Sequence, residues 1–110
     1  MAQFLFLYVA GDTPPALMEA SMKDWTAWIE KLGAKGHLAQ PGAPFGDGGK
    51  VLSQDGKIKT YDPKTGTHAT GYSVIEAKDL AEATALAKDC PQLNPKYGVG
   101  TLEIRPIVAM

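Results

Sequence analysis

The chain opens on a strongly apolar run. From Gln3 to Val9 the side chains alternate between the two sides of a predicted β-strand, because successive residues of a strand point to opposite faces. One side carries Leu5, Leu7 and Val9, and the other carries Phe4, Phe6 and Tyr8. A strand with two apolar sides is buried on both faces. In so short a chain, helices can cover one face and a second subunit the other, so the pattern indicates a homodimer.

A helix with one apolar stripe is predicted next. Thr13 is expected as its N-cap, with Pro14 at the first helical position. Apolar residues then recur at spacings of three and four, the period of a helix with one buried side. This stripe consists of Met18, Met22, Trp25, Ile29 and Leu32. Gly33 then provides a stop signal.

Glycine and proline interrupt the pattern between Gly36 and Gly49. A short strand over residues 37–40 is expected before this stretch becomes a loop. Two β-prone runs, residues 50–53 and 57–61, then flank the segment Gln54-Asp55-Gly56. Asp-Gly between such runs predicts a β-hairpin, since both residues tolerate positive φ.

The second half of the chain predicts a strand over residues 72–77, a helix and a closing strand. Asp79, with Glu82 three residues later, resembles a capping box at the start of the helix, and Pro91 ends it. The apolar stripe of this helix is Leu80, Ala83, Leu86 and Ala87. In the closing strand, residues 101–108, Pro106 lacks an amide donor and so indicates an edge position or a bulge.

The predicted order is therefore β, α, β, an inserted hairpin, β, α, β. A length of 110 residues fits a single domain, residues 1–110. Two β-α-β units side by side place two helices on one face of an antiparallel sheet. The pattern thus predicts an α+β protein with a ferredoxin-like βαββαβ fold and an inserted β-hairpin.

The charge balance excludes some classes of partner. The formal net charge is -1, so no overall positive field favours nucleic acid or an anionic membrane. No run approaches the roughly 18 apolar residues that a membrane span requires, and the N-terminus lacks the positive flank and cleavage site of a signal peptide. We therefore expect a cytoplasmic protein that binds neither nucleic acid nor membrane.

Few side chains can carry chemistry. Cys90 is the only cysteine, so neither an intrachain disulfide nor a thiol-based zinc site can form. The negative end of the second helix disfavours its thiolate, and we expect an inert, packed thiol. His37 and His68 are candidate acid–base groups because imidazole titrates near neutral pH, although a lone histidine is more often a surface or packing residue. Neither a metal site nor a cofactor is predicted.

Two further groups are candidates for ligand binding. Trp25 and Trp28 lie three residues apart on the first helix, where they either pack in the core and a dimer interface or form the wall of an apolar pocket. Glu103 and Arg105 share one face of the last strand, from which they could reach Tyr72 or Glu76 on a neighbouring strand. If a partner sheet covers them, they must pair or line a wet cavity; otherwise they are exposed charges on an open sheet.

Four segments of the chain resemble one protein family. They are KDWTAWIEKLGAKGH, GGKVLSQDGK, GYSVIEAKDLAEATALAKDCP and GTLEIRPIVAM. Together they resemble the YCII-related, or DGPF, domain over nearly the whole chain. The most specific parts are Ala87 to Pro91 and Glu103 to Pro106. The resemblance implies a homodimer whose two ferredoxin-like subunits form a dimeric α/β barrel.

The resemblance also implies candidate site residues. Some relatives are enzymes, including a dehydrochlorinase, and in one branch a helix histidine and an aspartate before a proline are proposed as an acid–base pair. In this chain Trp25 stands at the position of that histidine, whereas Asp89 keeps the aspartate. Gln92 replaces another histidine that is common after the Cys-Pro pair. Because tryptophan cannot shuttle a proton, the acid–base pair is incomplete here.

Three functions follow as hypotheses. The first is a dimeric domain that binds a small molecule in an intersubunit or helix–sheet cavity, with Trp25, Tyr72, Gln92, Glu103 and Arg105 as ligand-binding residues. The second is an isomerase, lyase or dehalogenase acting on a small cyclic acid, for which Asp89, His37 or His68 would supply the base. The third, implied by the resemblance, is a regulatory protein associated with an extracytoplasmic-function sigma factor.

Overall fold

The computed structural model describes residues 1–11 and 13–109 as six strands and two α-helices. They are β1 (Ala2–Ala10), α1 (Met18–Ala34), β2 (Leu38–Pro44), β3 (Lys50–Leu52), β4 (Ile58–Thr60), β5 (Ala69–Ala77), α2 (Leu80–Ala87) and β6 (Gly100–Ile107). Short 3-10 turns cover Pro15–Leu17, Pro91–Leu93 and Pro95–Tyr97. The predicted α+β class is confirmed.

Four of the strands form one antiparallel sheet in the order β2-β5-β1-β6. This order, with two connecting helices, is consistent with a ferredoxin-like α+β arrangement. β6 lies at the edge of the sheet, so Pro106 has the edge position that its missing amide donor predicts. β3 and β4 pair separately as a two-stranded antiparallel sheet. Of the helices in the described residues, none combines the length and apolarity needed to cross a bilayer.

The two helices cover one face of the four-stranded sheet and form the core with it. The buried side chains of β1 and β5 on this face are Phe4, Phe6, Tyr8, Ser73, Ile75 and Ala77, and the helices add Trp28, Leu32, Ala83 and Ala87. The rings of Phe6 and Trp28 stack with centroids 6.3 Å apart. Because Phe6 has no exposed surface at all, it marks the centre of the core.

The other face of the sheet is open in the single chain, and it is called the open sheet face below. At its centre are the half-buried apolar and aromatic side chains Leu5, Leu7, Val9, Tyr72 and Val74. Around them the register places Gln3, Glu76, Thr101, Glu103, Arg105 and Ile107, of which all but Glu76 are exposed. Phe45 also stacks against Tyr72, with ring centroids 5.9 Å apart. Both sides of β1 are therefore apolar, but the described chain covers only one of them.

The side of α1 that faces the core differs from the predicted stripe at its N-terminal end. Met18 and Met22 are 50% and 64% exposed, so their predicted burial is wrong. The residues that face the core are Ser21, Trp25, Trp28, Ile29 and Leu32, so Trp25, Ile29 and Leu32 of the predicted stripe are confirmed there. This alternative stripe also has helical spacing. It turns Trp28 inward, and a tryptophan ring removes more apolar surface from water than a methionine.

The N-terminus of α1 is also displaced from its predicted position. A 3-10 turn over Pro15–Leu17, which Pro14 precedes, comes before the helix. The N-cap of α1 is therefore Leu17 rather than Thr13, and no side chain makes a capping hydrogen bond there. The cause is the Pro14-Pro15 pair, since the residue before a proline is forced out of the helical region. Accordingly, Pro14 has a ψ of 139°.

The C-terminus of α1 lies beyond the predicted stop at Gly33. The helix continues to Ala34, and Gly36 adopts a left-handed φ of 77°. The His37 N–H donates to the Leu32 carbonyl at 2.9 Å, and the Gly36 N–H donates to the Gly33 carbonyl at 3.1 Å. These two bonds form a Schellman motif, for which glycine is favoured at the left-handed position.

The start of α2 agrees with the prediction. The Asp79 carboxylate accepts a hydrogen bond from the Glu82 N–H at 2.8 Å, while the Glu82 carboxylate accepts one from the Lys78 N–H at 2.9 Å. The side chains thus satisfy two backbone donors at this helix end. In the predicted stripe, Ala83 and Ala87 are buried but Leu80 is half exposed.

β2 extends to Pro44, four residues beyond the predicted strand. It lies at the sheet edge, where prolines are tolerated, and its pairing with β5 is irregular. Gly42 occupies the irregularity with a left-handed φ of 71°. An added Cβ at Gly42 would lie 1.7 Å from the Tyr72 carbonyl oxygen, so only glycine lets the two strands approach this closely.

Gly42→Ala is therefore expected to lower the free energy of unfolding by about 3 kcal/mol or more, because β2 must shift away from β5. The matched control is Gly36→Ala, where φ is 77° but nothing lies within 4 Å of the added Cβ. Gly36→Ala should lower the free energy of unfolding by only about 1–2 kcal/mol, the strain of an alanine in the left-handed backbone conformation. Urea unfolding measures both variants, and equal losses would contradict the strand contact at Gly42.

Candidate functional site

A cleft lies between α1 and the segment that joins α2 to β6, residues 88–99, which is called the connector below. The cleft has a volume of about 490 Å³, within the range of about 300–1,000 Å³ that is usual for small-molecule sites. α1 contributes Asp24, Ala27, Trp28 and Lys31, and the connector contributes residues 88–91 and 93–95. This α1 cleft is the candidate functional site.

Local sequence explains how both walls of the α1 cleft are built. Asp24, Trp28 and Lys31 are four and three residues apart, so they share one face of α1. On the connector, the two 3-10 turns begin at Pro91 and Pro95. The fixed φ of proline restrains the backbone at both points. The face of α1 that carries Asp24, Trp28 and Lys31 therefore lies opposite the connector, whose backbone is restrained by two prolines.

Lys31 and Asp89 form an ion pair across the α1 cleft. Lys31 Nζ and Asp89 Oδ2 are 3.7 Å apart, and the two side chains are 55% and 69% exposed. An exposed pair of this kind contributes about 0–1 kcal/mol, because water competes for both charges. A charged group of a ligand can therefore replace Asp89 as the partner of Lys31, or Lys31 as the partner of Asp89, at little cost in stability.

Asp24 and Tyr97 form a second link between α1 and the connector. The Tyr97 hydroxyl donates a hydrogen bond to Asp24 Oδ2. Tyr97 is buried, whereas Asp24 is exposed on the cleft. The pKa of Tyr97 is raised above its ordinary value, mainly because its proton is hydrogen-bonded to this carboxylate and also because the phenolate would lose solvation. Tyr97 therefore stays neutral at physiological pH and holds the carboxylate in place.

Cys90 is a packed thiol, as predicted. Its side chain is 2% exposed although the residue borders the α1 cleft. Burial raises the pKa of Cys90 to about 12, so thiolate is nearly absent at neutral pH and the residue is a poor nucleophile. Within residues 1–11 and 13–109, no three His, Cys, Asp or Glu side chains form a group that could hold a metal ion.

Of the predicted acid–base candidates, only Asp89 lines the α1 cleft. His37 lies near the start of α2, where its Nδ1–H donates to the Glu76 carbonyl oxygen at 2.8 Å. His68 lies in an exposed turn, and its backbone N–H donates to the Tyr61 hydroxyl at 3.1 Å. The fold thus separates both histidines from Asp89.

Trp25 and Gln92 pack beside the α1 cleft rather than in its lining. Trp25 meets the Tyr8 ring edge-on, with centroids 4.7 Å apart. The Gln92 amide nitrogen lies 3.1 Å from the carbonyl oxygens of Val9 and Ala10 and 3.3 Å from that of Thr101. The Gln92 amide N–H groups thus hydrogen-bond to β1 and β6 and link the connector to the ends of both strands.

The other predicted ligand-binding residues are on the open sheet face. Glu103 and Tyr72 both pair with Leu7, from opposite sides, so β1 separates them. The predicted approach of Glu103 and Arg105 to Tyr72 or Glu76 on a neighbouring strand is therefore wrong, because Tyr72 and Glu76 lie on β5, whereas β6 pairs with β1. Instead, Arg105 Nη1 lies 3.2 Å from Glu103 Oε1.

The sequence does not identify Asp24, Lys31 and Lys88 as residues of the α1 cleft, nor Tyr97 as the partner of Asp24. The signal for the first two is their seven-residue spacing on either side of Trp28, which places both on one helix face. Tyr97 has no comparable signal. It approaches Asp24 across 73 positions of sequence, so only the tertiary fold reveals the pair.

Comparison with known proteins gives one family and one named structure. Among solved structures, 5-chloro-2-hydroxyhydroquinone dehydrochlorinase (TftG) from Burkholderia phenoliruptrix AC1100, in complex with 2,5-dihydroxybenzoquinone, is similar at 16% identity and a TM-score of 0.41. The alignment covers 92% of this chain and 90% of that chain. No curated protein matches the sequence. The model of the YCII-related domain matches residues 4–110, and the chain therefore belongs to the YCII-related domain family.

Proposed function

We propose that this chain binds a small organic acid in the α1 cleft. The observation that carries the proposal is the composition of the cleft, in which two lysines and two aspartates stand beside apolar side chains. Lys31 and Lys88 line it together with Trp28 and Leu93. Small-molecule sites typically combine an apolar lining with a few polar groups that orient the ligand.

The two lysines are suited to hold a carboxylate. Lys31 has only the weak, exposed partner Asp89. Within the described part of the chain, Lys88 has no ion-pair partner. Ammonium groups are compact charges that donate three hydrogen bonds. Trp28 lies between Asp24 and Lys31 on the helix but is only 6% exposed, so the apolar part of a ligand would contact chiefly Ala27 and Leu93.

The double variant Lys31→Ala/Lys88→Ala is expected to lose this binding, because both cations are removed. Thermal unfolding with a panel of small carboxylic acids measures it. A ligand at 100 times its dissociation constant stabilises the folded protein by about 2.7 kcal/mol, a midpoint shift on the order of 10 °C. The variant should lose most of that shift.

The matched control is Lys57→Ala/Lys59→Ala, which removes two exposed cations at the β3–β4 hairpin and should keep the full shift. No stabilisation of the unaltered protein by any acid in the panel would contradict the proposal. An equal loss in both double variants would point to a general charge effect and would also contradict it.

A second candidate function is acid–base catalysis on a small cyclic acid. The observation that favours it is that two carboxylates, Asp24 and Asp89, border the cleft in which the acid is proposed to bind. His37 and His68 lie elsewhere, so the base would be a carboxylate. This activity would require the binding proposed above.

We also propose that a second copy of the chain covers the open sheet face, which gives a dimeric α/β barrel. Supporting this, Leu5, Leu7 and Val74 form contiguous apolar surface in the middle of the sheet, and surface of this kind marks protein interfaces. The charges at the sheet edge, Glu103 and Arg105, already pair with each other, which lowers the cost of covering them.

A further inference from the structure

The carboxylate of Asp24 can accept further hydrogen bonds at the α1 cleft besides the one from Tyr97. An aspartate carboxylate has about four acceptor sites and no donor. The Tyr97 hydroxyl occupies one site on Oδ2. Because Asp24 is exposed on the cleft, acceptor capacity is left for a ligand. Any ligand group that meets it must therefore donate a hydrogen bond.

The position of Asp24 along α1 sets where that donor must be. Asp24 and Lys31 are seven residues apart, which is about 10.5 Å along the helix axis. The side chain of Trp28 separates them on the same face. A ligand that reaches both must carry its donor and its acidic group at opposite ends, with an apolar middle.

The hydrogen bond from Tyr97 fixes the orientation of the Asp24 carboxylate. Tyr97 belongs to the 3-10 turn Pro95–Tyr97 and is 5% exposed, so its ring is fixed by the surrounding protein. A carboxylate held by a fixed donor loses little further freedom when a ligand binds, which favours affinity. Tyr97 therefore acts as a positioning residue for Asp24.

From these contacts we propose that Asp24 determines specificity at the α1 cleft, selecting acids that carry a hydroxyl or ammonium donor at the end remote from the carboxylate. The inference rests on the proposed binding of an organic acid. It adds the class of ligand and the residue that recognises it. The lysines bind the acidic end of every such ligand, whereas Asp24 recognises the other end.

The test compares three probes by isothermal titration calorimetry: benzoate, 4-hydroxybenzoate and 4-(aminomethyl)benzoate. A hydrogen bond to a charged group favours a probe that carries the donor by about tenfold or more. We expect at least one of the two donor-bearing probes to bind that much more tightly than benzoate. Preference for the hydroxyl probe identifies a neutral donor, and preference for the aminomethyl probe identifies a cationic one.

Asp24→Ala is expected to abolish that preference while benzoate affinity changes less than about threefold, because only the acceptor is removed. Tyr97→Phe keeps the ring but removes the hydroxyl, so the preference should fall several-fold without vanishing. Glu30→Ala, on the same helix but outside the lining of the α1 cleft, should retain the full preference.

The outcomes separate this inference from the proposed function. Equal binding of all three probes to the unaltered protein would overturn the inference and leave the proposed function standing. Binding of none of them would count against the proposed function itself and take the inference with it. A preference that survives Asp24→Ala would overturn the assignment of Asp24. If Asp24→Ala does not fold, an undiminished preference in Tyr97→Phe overturns the role of the pair.

Discussion

Leu7→Arg is expected to convert the proposed dimer into a monomer. Leu7 lies at the centre of the open sheet face, between Tyr72 and Glu103 on the neighbouring strands. Covering the new charge with a second sheet would bury it beside Glu103, whose carboxylate is already paired with Arg105, so the arginine would lack a partner of its own. Such a charge costs about 3–5 kcal/mol, which raises the dissociation constant by about 100-fold or more. Analytical ultracentrifugation at micromolar concentration measures the change.

Met22→Arg is the matched control for Leu7→Arg. Met22 is 64% exposed on α1, so the same gain of charge should leave the dimer intact. A monomeric Met22→Arg variant would place the interface on α1 instead. If the unaltered chain is already a stable monomer with the open sheet face in water, the proposed dimer is wrong.

Phe6→Ala is expected to lower the free energy of unfolding by about 3–5 kcal/mol. Phe6 has no exposed surface and stacks on Trp28, so the substitution removes buried apolar area and leaves a cavity. The loss is a large part of the roughly 5–15 kcal/mol that stabilises a typical protein. Urea unfolding at a fixed protein concentration measures it, since a dimer is stabilised by mass action.

Ile58→Ala serves as the control for Phe6→Ala. Ile58 is 66% exposed on β4, so its truncation should change the unfolding free energy by less than about 0.5 kcal/mol. Comparable losses in the two variants would mean that the core does not lie between the helices and the four-stranded sheet.

The sequence predicts a helix or strand of this chain well where its structure depends only on residues close together along the chain. The Asp79–Glu82 cap of α2 is an example, because its hydrogen bonds join residues three and four apart. The stripe of α1 is different, since two overlapping helical stripes share Trp25, Ile29 and Leu32. Which of them faces the core depends on how Trp28 packs against Phe6, and that contact is set by the sheet.

The candidate site is less predictable than the fold because its residues meet only in three dimensions. Asp89 is recognised from its place before Cys90-Pro91. Tyr97 and Asp24, by contrast, come together only because the connector folds back on α1. His37 shows the opposite error. The sequence makes it a candidate acid–base group, but its side chain hydrogen-bonds to the Glu76 carbonyl and does not reach the α1 cleft.

The most direct test of the central claim is an NMR titration of the ¹⁵N-labelled protein with 4-hydroxybenzoate. If acids bind in the α1 cleft, the indole N–H signal of Trp28 and the amide signals of residues 88–95 should move together in a saturable manner. The amide signals of Leu7 and Glu103 on the open sheet face should stay in place. Saturable shifts confined to the open sheet face, or no shifts at all, would contradict the account.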